Sequence, residues 1–482
     1  MGGIDEVYKP QWHARFKPLF KTNTFEKAVV FIMGVSIMQP LHVTVAGGSF
    51  SVRRFGLGPE SIGPFMGITY SFQQLFCLMG SLTSTVLSQT CEKNYAQYWV
   101  YINGTYSMVL CTFITMLNTR LLLLCATSIG DSNLTAYYWT LAFTGYLFGA
   151  LDSPVRTLSA GNGMWFNLGM AFNGFCVNII HALVPKFLPP SGDLHYWTIY
   201  WQILFTTLLS MAVGILWTIL IIFDKFGPPK PDYSCRRGKG AGLEDALSGG
   251  MIHIFLVCGS LGTQFCVYPS VAPFSIVTPD KAQNVIRACL YLNALVGVAG
   301  VLLKDYCKLG MPWTSENGNE FYKASLFLFV PYFVLFWLFI YVLHHPKSFI
   351  GSMIYMKPTA VFVLTVVYFL VGGLLKTAGF GGAYSNMAYG NGKSGDGSGA
   401  GKAMTILGTS VMVTLVTTKF ISAGYLRAFR AAKKGLDSGL PWPTEDMSEV
   451  RAFFYWLKCG LVGAGKTFRD VFTTDIRTKV LV

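Results

Sequence analysis

Apolar blocks of about 20 residues recur along the chain, and charged residues seldom interrupt them. That is the length an α-helix needs to cross about 30 Å of hydrocarbon. The sequence therefore predicts an all-α polytopic membrane protein with about eleven transmembrane helices. We place these spans at Ala28–Ala46, Pro64–Leu87, Tyr98–Leu117, Ala136–Leu151, Val155–Val184, Trp197–Phe223, Met251–Phe274, Ala282–Leu303, Lys323–Leu343, Thr359–Leu375 and Ala403–Ile421.

Polar stretches between the blocks predict a division into six plus five helices. Pro, Gly and mixed charge fill the central stretch, a composition typical of a linker rather than a buried helix. Another stretch, Gly379–Lys402, is rich in Gly, Ser and Asn and predicts a flexible loop between the last two spans. The predicted parts are a cytosolic N-tail (1–27), a six-helix bundle (28–223), a cytosolic linker (224–250), a five-helix bundle (251–421) and a basic amphipathic C-tail (422–482).

Composition supports the membrane assignment. The chain has 482 residues, of which 52% are hydrophobic and 12% charged, and its mean hydropathy is +0.46. The net charge of +14 resides in loops and tails, where Lys and Arg orient spans, so we expect no nucleic-acid partner.

Charge bias places the N-tail and linker in the cytosol. Segments rich in Lys and Arg usually face the cytosol. With eleven spans the basic C-tail would face the outside instead, so ten or twelve spans are the alternatives. We expect an integral, multi-pass protein of the plasma membrane.

The sequence gives little indication of an enzyme. Its 11 Cys form an odd set without metal-type spacing, which predicts neither a disulfide framework nor a zinc site. No acid–base pair, nucleophile or metal cluster is recognisable, and no cofactor is expected. The segment Gly460–Thr467 matches the phosphate-binding loop pattern, but that chemistry requires a strand and a helix in an α/β domain. We interpret it as part of an amphipathic tail lying on the membrane, with Phe453, Phe454, Trp456 and Leu457 toward lipid.

Polar residues inside the apolar spans are the candidate functional residues, because they are costly in a membrane unless they bind something. The first span is interrupted at Gln39-Pro40-Leu41-His42, where a kinked helix would expose polar groups. For each residue a structural kink or a helix–helix hydrogen bond is the alternative. The candidate substrate-binding residues are Gln39, His42, Tyr70, Gln73, Gln74, Asn162, Trp165, Tyr268 and Asn293.

Charged residues between the fourth and fifth predicted spans have a different interpretation. Asp152 and Ser153 precede Pro154, a pattern typical of a helix start. We therefore predict that Asp152 caps the fifth span and that Arg156 anchors it at the membrane interface. No other acidic residue is visible near the middle of a span, which indicates transport without ion coupling.

Several motifs, in their order along the chain, resemble the equilibrative nucleoside transporter family. These motifs are the Gly-rich element ending at Pro40, the Ser159–Gly163 pattern, Val267-Tyr268-Pro269, Leu292-Asn293 and Lys323–Phe333. The chain is also similar to the Tpr-like multi-spanning proteins of piroplasm parasites. The resemblance implies eleven spans in an arrangement related to the major facilitator architecture. The family's eighth span also carries an Asp and an Arg that belong to the permeation site.

In this chain Val296 and Gly300 occupy those two positions, so the resemblance implies a neutral site. The expected function is facilitative, equilibrative transport of a small polar solute. Nucleosides or nucleobases are the leading candidates for that solute. The polar candidates would hydrogen-bond the solute, while Tyr70, Trp165 and Tyr268 would stack on it. One alternative is a diverged membrane protein with a surface or scaffold role and no transport activity. Another is an ion-coupled carrier, which would need a buried carboxylate. The expected partners are the solute and the lipid bilayer, and the oligomeric state is left open.

Overall fold

The computed structural model describes residues 23–94, 98–159, 162–188, 192–225, 243–305, 325–389 and 398–480. Within these ranges every regular element is a helix. The α-helices are α1 (Asn23–Ile37), α2 (Gln39–Val45), α3 (Gly48–Arg54), α4 (Ile62–Asn94), α5 (Trp99–Thr127), α6 (Leu134–Leu158), α7 (Gly163–Phe187), α8 (Leu194–Leu220), α9 (Leu243–Val267), α10 (Pro279–Asp305), α11 (Phe329–His344), α12 (Phe349–Ile354), α13 (Pro358–Tyr389), α14 (Ser398–Asp437), α15 (Glu449–Asp470) and α16 (Arg477–Val480).

Each of the eleven predicted spans coincides with a long helix or, for the first, with α1 and α2 together. Eight stretches of the described chain are long and apolar enough to cross a membrane: Asn23–Val45, Val100–Thr127, Trp165–Phe187, Leu194–Phe223, Gly250–Val267, Ser325–His344, Pro358–Ala383 and Ile406–Asp437. The other three spans correspond to α4, α6 and α10. These helices contribute polar side chains to the interior of the bundle, which lowers their mean hydropathy. The all-α, multi-pass prediction is therefore confirmed.

Several predicted boundaries are wrong for identifiable reasons. The first span does break where predicted, because α1 ends at Ile37 and α2 starts at Gln39 with a proline in its first turn. Pro154, however, lies inside α6, which continues to Leu158, and the next helix starts at Gly163. A helix tolerates one proline when neighbouring helices support it. Asp152 is therefore not a helix cap.

The seventh and tenth spans also differ from prediction. Helix α9 ends at Val267 rather than Phe274, and two proline-containing turns follow. Helix α13 continues to Tyr389, although its last eleven residues were predicted as a flexible loop. Glycine lowers helix propensity, but packing against neighbouring helices overrides that preference. The end of the predicted loop, 398–402, is also helical, as the start of α14. The middle of that loop, 390–397, and most of the predicted linker, 226–242, lie outside the described residues, and the six-plus-five division stays a prediction.

Close packing of α4 against α6 depends on glycine. Gly145 and Gly149 lie on α6 against the backbone carbonyls of Gln73 and Cys77, and Gly80 on α4 lies against the carbonyl of Tyr146. At each of these glycines a β-carbon would overlap a backbone oxygen. Small residues of this kind allow membrane helices to approach closely. This contact fixes the position of the polar faces of both helices.

The outer faces of the bundle are apolar. Large exposed side chains on α5 include Met116 and Leu123, and those on α8 include Leu208 and Ile215. A soluble protein rarely exposes such contiguous apolar surface, whereas lipid solvates it. Between these two helices, Trp217 Nε1 donates a hydrogen bond to Ser107 Oγ over 2.9 Å. Polar contacts of this kind join membrane helices from within.

The C-tail folds back on the bundle as α15, which packs antiparallel on α14 where Gly463 meets Gly424. The segment 460–467 is helical, so it does not form a phosphate-binding loop. Phe453 and Phe454 are exposed, as predicted for a lipid-facing surface, but Trp456 is buried and packs against the ring of His344. The prediction for Trp456 is therefore wrong.

The chain after α15 reaches the beginning of α6. Tyr138 Oη donates a 2.6 Å hydrogen bond to the carbonyl of Val471, and Arg477 lies 3.4 Å from Asp131. The turn before α6 is tied to α3 by a 2.9 Å hydrogen bond from Arg54 Nη2 to the carbonyl of Ser128. The tail therefore lies at the end of the bundle opposite the start of α1, which we call the far end. This position agrees with an odd number of spans.

Candidate functional site

A cavity of about 210 Å³ lies in the centre of the bundle, and we call it the central cavity. Helices from both sides of the predicted linker form its wall: α2, α4, α6 and α7 from the first part, and α9, α10, α13 and α14 from the second. Apolar and aromatic side chains make up most of the wall. Its polar side chains are His42, Tyr70, Gln74, Asp152, Arg156, Asn167, Gln264, Tyr268, Asn293, Lys376 and Thr377.

Five of the nine candidate residues line this cavity: His42, Tyr70, Gln74, Tyr268 and Asn293. They come from four separate parts of the chain, so the fold brings together groups that the sequence keeps apart. The polar edges of His42, Gln74 and Asn293 can hydrogen-bond a solute, and the two tyrosine rings can wall it. Their assignment to solute binding stays a prediction.

The other four candidates do not line the cavity. Gln39 is fully buried beside it, and neither side-chain amide atom has a described hydrogen-bond partner. Gln73 points from α4 toward α2, and its Nε2 donates a 3.2 Å hydrogen bond to a backbone carbonyl there. Asn162 stands in the turn before α7, and Trp165 lies in the first turn of that helix. Of the four, Gln73 fits the helix-joining alternative.

Asp152 and Arg156 form an ion pair in the wall of the cavity. Arg156 Nε lies 2.8 Å from Asp152 Oδ2, and Nη1 donates a 2.9 Å hydrogen bond to Asn167 Oδ1 on α7. The guanidinium group also lies over the ring of Phe166, 4.8 Å from its centroid. The predicted role of Asp152 as a helix cap is wrong, whereas the interfacial anchor role of Arg156, which lies in the last turn of α6, stays a prediction. A carboxylate is therefore present inside the bundle, contrary to the sequence-based expectation.

Lys376 is a second cation of the wall that sequence reasoning missed. Its Nζ donates a 2.9 Å hydrogen bond to Asn293 Oδ1 on α10, and Asn293 Nδ2 lies 3.5 Å from the carbonyl of Ala171. The predicted span stopped at Leu375 because Lys376 broke the apolar run. Helix α13 continues for 13 residues past Lys376, to Tyr389, so its ammonium group lies inside the bundle instead of at the membrane surface.

A third cation, Lys419 on α14, lies behind the aromatic part of the wall. It is 4% exposed, and its Nζ donates a 2.8 Å hydrogen bond to the carbonyl of Tyr268 just after α9 ends. The same nitrogen lies 4.7 Å from the ring centroid of Tyr70 and 5.4 Å from that of Phe265. Such cation–π contacts, together with a free carbonyl at a helix end, stabilise a buried ammonium group.

Several buried polar atoms of the cavity wall lack a hydrogen-bond partner among the described residues. They include His42 Nδ1 on α2, Asp152 Oδ1 on α6, Asn167 Nδ2 on α7, Gln264 Oε1 on α9 and Tyr268 Oη just after α9. A buried polar group left unpaired costs about 1–3 kcal/mol, so folded proteins seldom keep several together without a purpose. Water or a polar solute in the cavity would satisfy them.

A second pocket of about 190 Å³ lies at the far end of the bundle, and we call it the far-end pocket. Its lining includes Arg53 at the end of α3, His195 at the start of α8 and Arg287 near the start of α10. Arg53 Nη1 lies 3.2 Å from His195 Nε2. Arg287 Nε has no described hydrogen-bond partner. No described acidic side chain lines this pocket.

The two positions that distinguish this chain from the nucleoside transporter pattern lie on α10. Val296 lines the central cavity, and Gly300 packs against the side chain of Thr377 so closely that a β-carbon would collide with it. An arginine at position 300 would therefore not fit this packing. The carboxylate and guanidinium groups of this cavity come instead from Asp152 and Arg156 on α6.

Comparison with known proteins gives matches only among solved structures. No known family model matches the chain, and no curated protein sequence matches it. The major facilitator superfamily proton:xylose symporter XylE bound to 6-bromo-6-deoxy-D-glucose superposes with a TM-score of 0.48 at 11% identity, covering 95% of this chain and 96% of that chain. A partially occluded, inward-open XylE from E. coli gives 0.48 and 11%, with 94% and 99% covered. A double-tryptophan XylE variant gives 0.49 and 11%, with 98% and 99% covered. All three TM-scores are below 0.5, so these superpositions assign neither substrate nor mechanism to this chain.

Proposed function

We propose that the protein carries a small polar solute across a membrane through the central cavity. The observation that carries this proposal is the convergence of unpartnered polar atoms from α2, α6, α7 and α9 on the central cavity. Polar groups that only join helices would pair with each other, as Trp217 and Ser107 do. Convergence favours transport over a scaffold role, in which such groups would be scattered among separate helix contacts.

Alternating access is the mechanism that fits this placement. A site between two sets of helices becomes accessible from one side and then from the other when one set rocks against the other. Here α4 and α6 line the cavity together with α9, α13 and α14 from the second part of the chain. The glycine contacts make α4 and α6 one unit, so they would move together. On entering the cavity, the solute would lose its hydrogen bonds to water and form hydrogen bonds with His42, Gln264 and Tyr268.

Nucleosides or nucleobases are the solutes we propose to test first. Aromatic rings surround the polar groups: Tyr70, Phe148, Phe265, Tyr268, Phe369 and Phe380. A planar base packs well against such rings, while amide groups hydrogen-bond its edge. The volume of about 210 Å³ is below the roughly 300–1,000 Å³ of pockets for drug-sized ligands. A small metabolite is therefore the appropriate size.

We keep equilibrative transport in the proposal, although the sequence-based reason for it, the lack of a carboxylate inside the bundle, does not hold. A carboxylate does line the cavity, but Arg156 lies 2.8 Å from it and keeps its own charge in any protein environment. Protonation of Asp152 during each cycle would remove the carboxylate charge opposite the guanidinium group, which is costly. Dissipating a proton gradient should therefore leave the final solute level unchanged.

The experiment is counterflow uptake by the purified full-length protein in proteoliposomes, with labelled uridine, adenosine, hypoxanthine and glucose. We expect uptake of one or more solutes to saturate and to fall several-fold in Tyr268→Phe, which removes an unpartnered cavity hydroxyl. Tyr332→Phe is the matched control, because that buried hydroxyl is bonded to the carbonyl of Ser260 away from the cavity. Accumulation that collapses with a protonophore would overturn the equilibrative mode. No uptake of these solutes or of the anionic solutes named below would overturn the transport function.

A further inference from the structure

We propose that the transported solute carries a negative charge, on a carboxylate or a phosphate group, and that Lys376 binds it with Arg156 nearby. This inference rests on the transport function proposed above and narrows its substrate class. Few charged side chains line the central cavity: among the described lining residues Arg156 and Lys376 are cations and Asp152 is the acid. The wall therefore has one positive charge in excess.

Lys376 supplies that excess charge. Its hydrogen bond to the neutral Oδ1 of Asn293 spans 2.9 Å, and no described carboxylate lies within 4 Å of its Nζ. An ammonium group inside a membrane bundle is costly unless it is paired or functional. An ammonium group has three donors, and the described hydrogen bond uses one of them. The other two can reach an anion in the cavity.

The two cations of the wall are close enough to act on one solute. Arg156 is bonded to Asn167 on α7, and Lys376 is linked through Asn293 to Ala171 on the same helix. Asn167 and Ala171 are four residues apart, which is about 6 Å along a helix. Arg156 also lies 5.8 Å from the ring centroid of Phe380, one turn beyond Lys376 on α13. A solute of metabolite size can therefore contact both groups.

Lys419 adds positive potential without contacting the solute. Its ammonium group lies behind the rings of Tyr70 and Phe265, at 4.7 and 5.4 Å from their centroids. Because a membrane interior screens charge poorly, a cation one ring away still acts on the cavity. A neutral nucleoside would gain nothing from this third charge.

The far-end pocket provides independent support, because it too is basic. Arg53, His195 and Arg287 line it without a described acid, and Arg287 Nε lacks a described hydrogen-bond partner. Arg287 and Asn293 lie six residues apart on α10, which is about 9 Å. The far-end pocket therefore lies about two turns of α10 from the Lys376–Asn293 contact. Basic groups on the approach to a site raise the local concentration of anions and speed their capture.

The test compares pairs of solutes that differ in charge, in proteoliposomes containing the full-length protein. Uracil is paired with orotate, which adds a carboxylate, and uridine with uridine 5′-monophosphate, which adds a phosphate. Inorganic phosphate alone is a fifth solute. We expect counterflow uptake of at least one organic anion to exceed that of its neutral partner about tenfold. The orotate and monophosphate arms show which anionic group is preferred.

Variants of Lys376 test whether its charge causes the preference for anions. Lys376→Met should reduce uptake of the anion about tenfold and that of its neutral partner by less than twofold, and Lys376→Arg should restore the preference. Lys357→Met is the control, because Lys357 is exposed just before the same helix. A melting curve for each variant in detergent checks that it is folded.

The outcomes separate the two proposals. Uptake of neutral solutes at least as fast as anions overturns the charge assignment and leaves the transport function standing. An anion preference that Lys376→Met does not change overturns the role of Lys376. Preference for inorganic phosphate over both organic anions overturns the inference of a solute that packs on the aromatic wall. Absence of uptake of all solutes overturns the transport function itself.

Discussion

Lys376 Nζ and Asn293 Oδ1 lie 2.9 Å apart and join α13 to α10 at the wall of the central cavity. The amide oxygen of Asn293 therefore holds a cation in position, a role that its place in an apolar span did not reveal. Its amide nitrogen, 3.5 Å from the carbonyl of Ala171, is close to α7 as well. Three helices thus meet at one polar side chain.

Asn293→Ala should weaken solute uptake about tenfold. The change releases Lys376 from its acceptor and leaves one hydrogen bond unmade, at a cost of about 1–2 kcal/mol. Concentration dependence of counterflow gives the apparent affinity, and Leu295→Ala on the exposed side of the same helix is the control. Equal affinity in the two variants would remove Asn293 from the site.

Asp152→Asn should lower the free energy of unfolding by about 3 kcal/mol, because it leaves the guanidinium group of Arg156 without its carboxylate. The double variant Asp152→Asn, Arg156→Gln should recover part of this loss, since it removes the guanidinium charge as well. Chemical denaturation in detergent measures both. If the single and double variants lose stability equally, the ion pair does not stabilise the bundle.

Gly149→Val should prevent normal folding. A side chain at this position would collide with the backbone carbonyl of Cys77 on α4, and backbone atoms in a packed helix cannot move aside. Gly67→Ala on α4 is the control, because a β-carbon there meets open space. Size-exclusion profiles and melting curves should show an aggregated or strongly destabilised Gly149→Val protein and a normal Gly67→Ala protein.

Attachment of the C-tail should depend on pH through Asp470. Partial burial raises the pKa of Asp470, but hydrogen bonds from Arg427 and Lys479 outweigh it, so the pKa lies below its ordinary value. The carboxylate therefore stabilises the attached tail fully above the ordinary Asp pKa of about 3.9, and this stabilisation is lost as the pH falls through the lower folded pKa. Its size is about 1 kcal/mol or less.

Limited proteolysis of the tail between pH 7 and pH 3, in wild type and Asp470→Asn, measures that contribution. The variant should be cut faster at pH 7, and the difference between the two proteins should shrink below the ordinary Asp pKa of about 3.9. A difference that persists at low pH would show that the side chain acts by packing rather than by charge.

ATP should not bind to the C-tail. Residues 460–467 form part of α15, so their backbone N–H groups are used within the helix, and Lys466 points away from the bundle. Equilibrium dialysis with labelled ATP should give the same background for wild type and Lys466→Ala. Binding that disappears in Lys466→Ala would contradict the helical assignment.

Hydrophobic patterning predicted the helices well because each span must bury its backbone polar groups internally, whatever its neighbours are. It also located the break before Gln39. The sequence was a poorer guide to which polar residues line the central cavity. Tyr70 and Gln74 are one turn apart and both face the cavity, whereas Gln73 is rotated by about 100° from Gln74 and faces α2 instead. Adjacent polar residues cannot share a face, and the sequence does not reveal which one faces inward.

Charged residues were the main source of error. Lys376 and Asp152 each stood at the apparent end of an apolar run, and such positions usually lie at the membrane surface. Helices α13 and α6 continue past them, to Tyr389 and Leu158. Polar contacts let these charges lie inside: Lys376 bonds to Asn293 on the neighbouring helix α10, 83 positions away, and Asp152 pairs with Arg156 four residues along its own helix.

The C-tail connects distant parts of the bundle at the far end. Trp456 packs on His344 of α11, and Val471 accepts a hydrogen bond from Tyr138 of α6. The segment between these two contacts is almost entirely helical and about 22 Å long at 1.5 Å per residue. A helix resists both stretching and compression, so the tail acts as a strut of fixed length between α11 and α6. While both ends stay attached, the two sides can pivot around this strut but cannot separate at the far end.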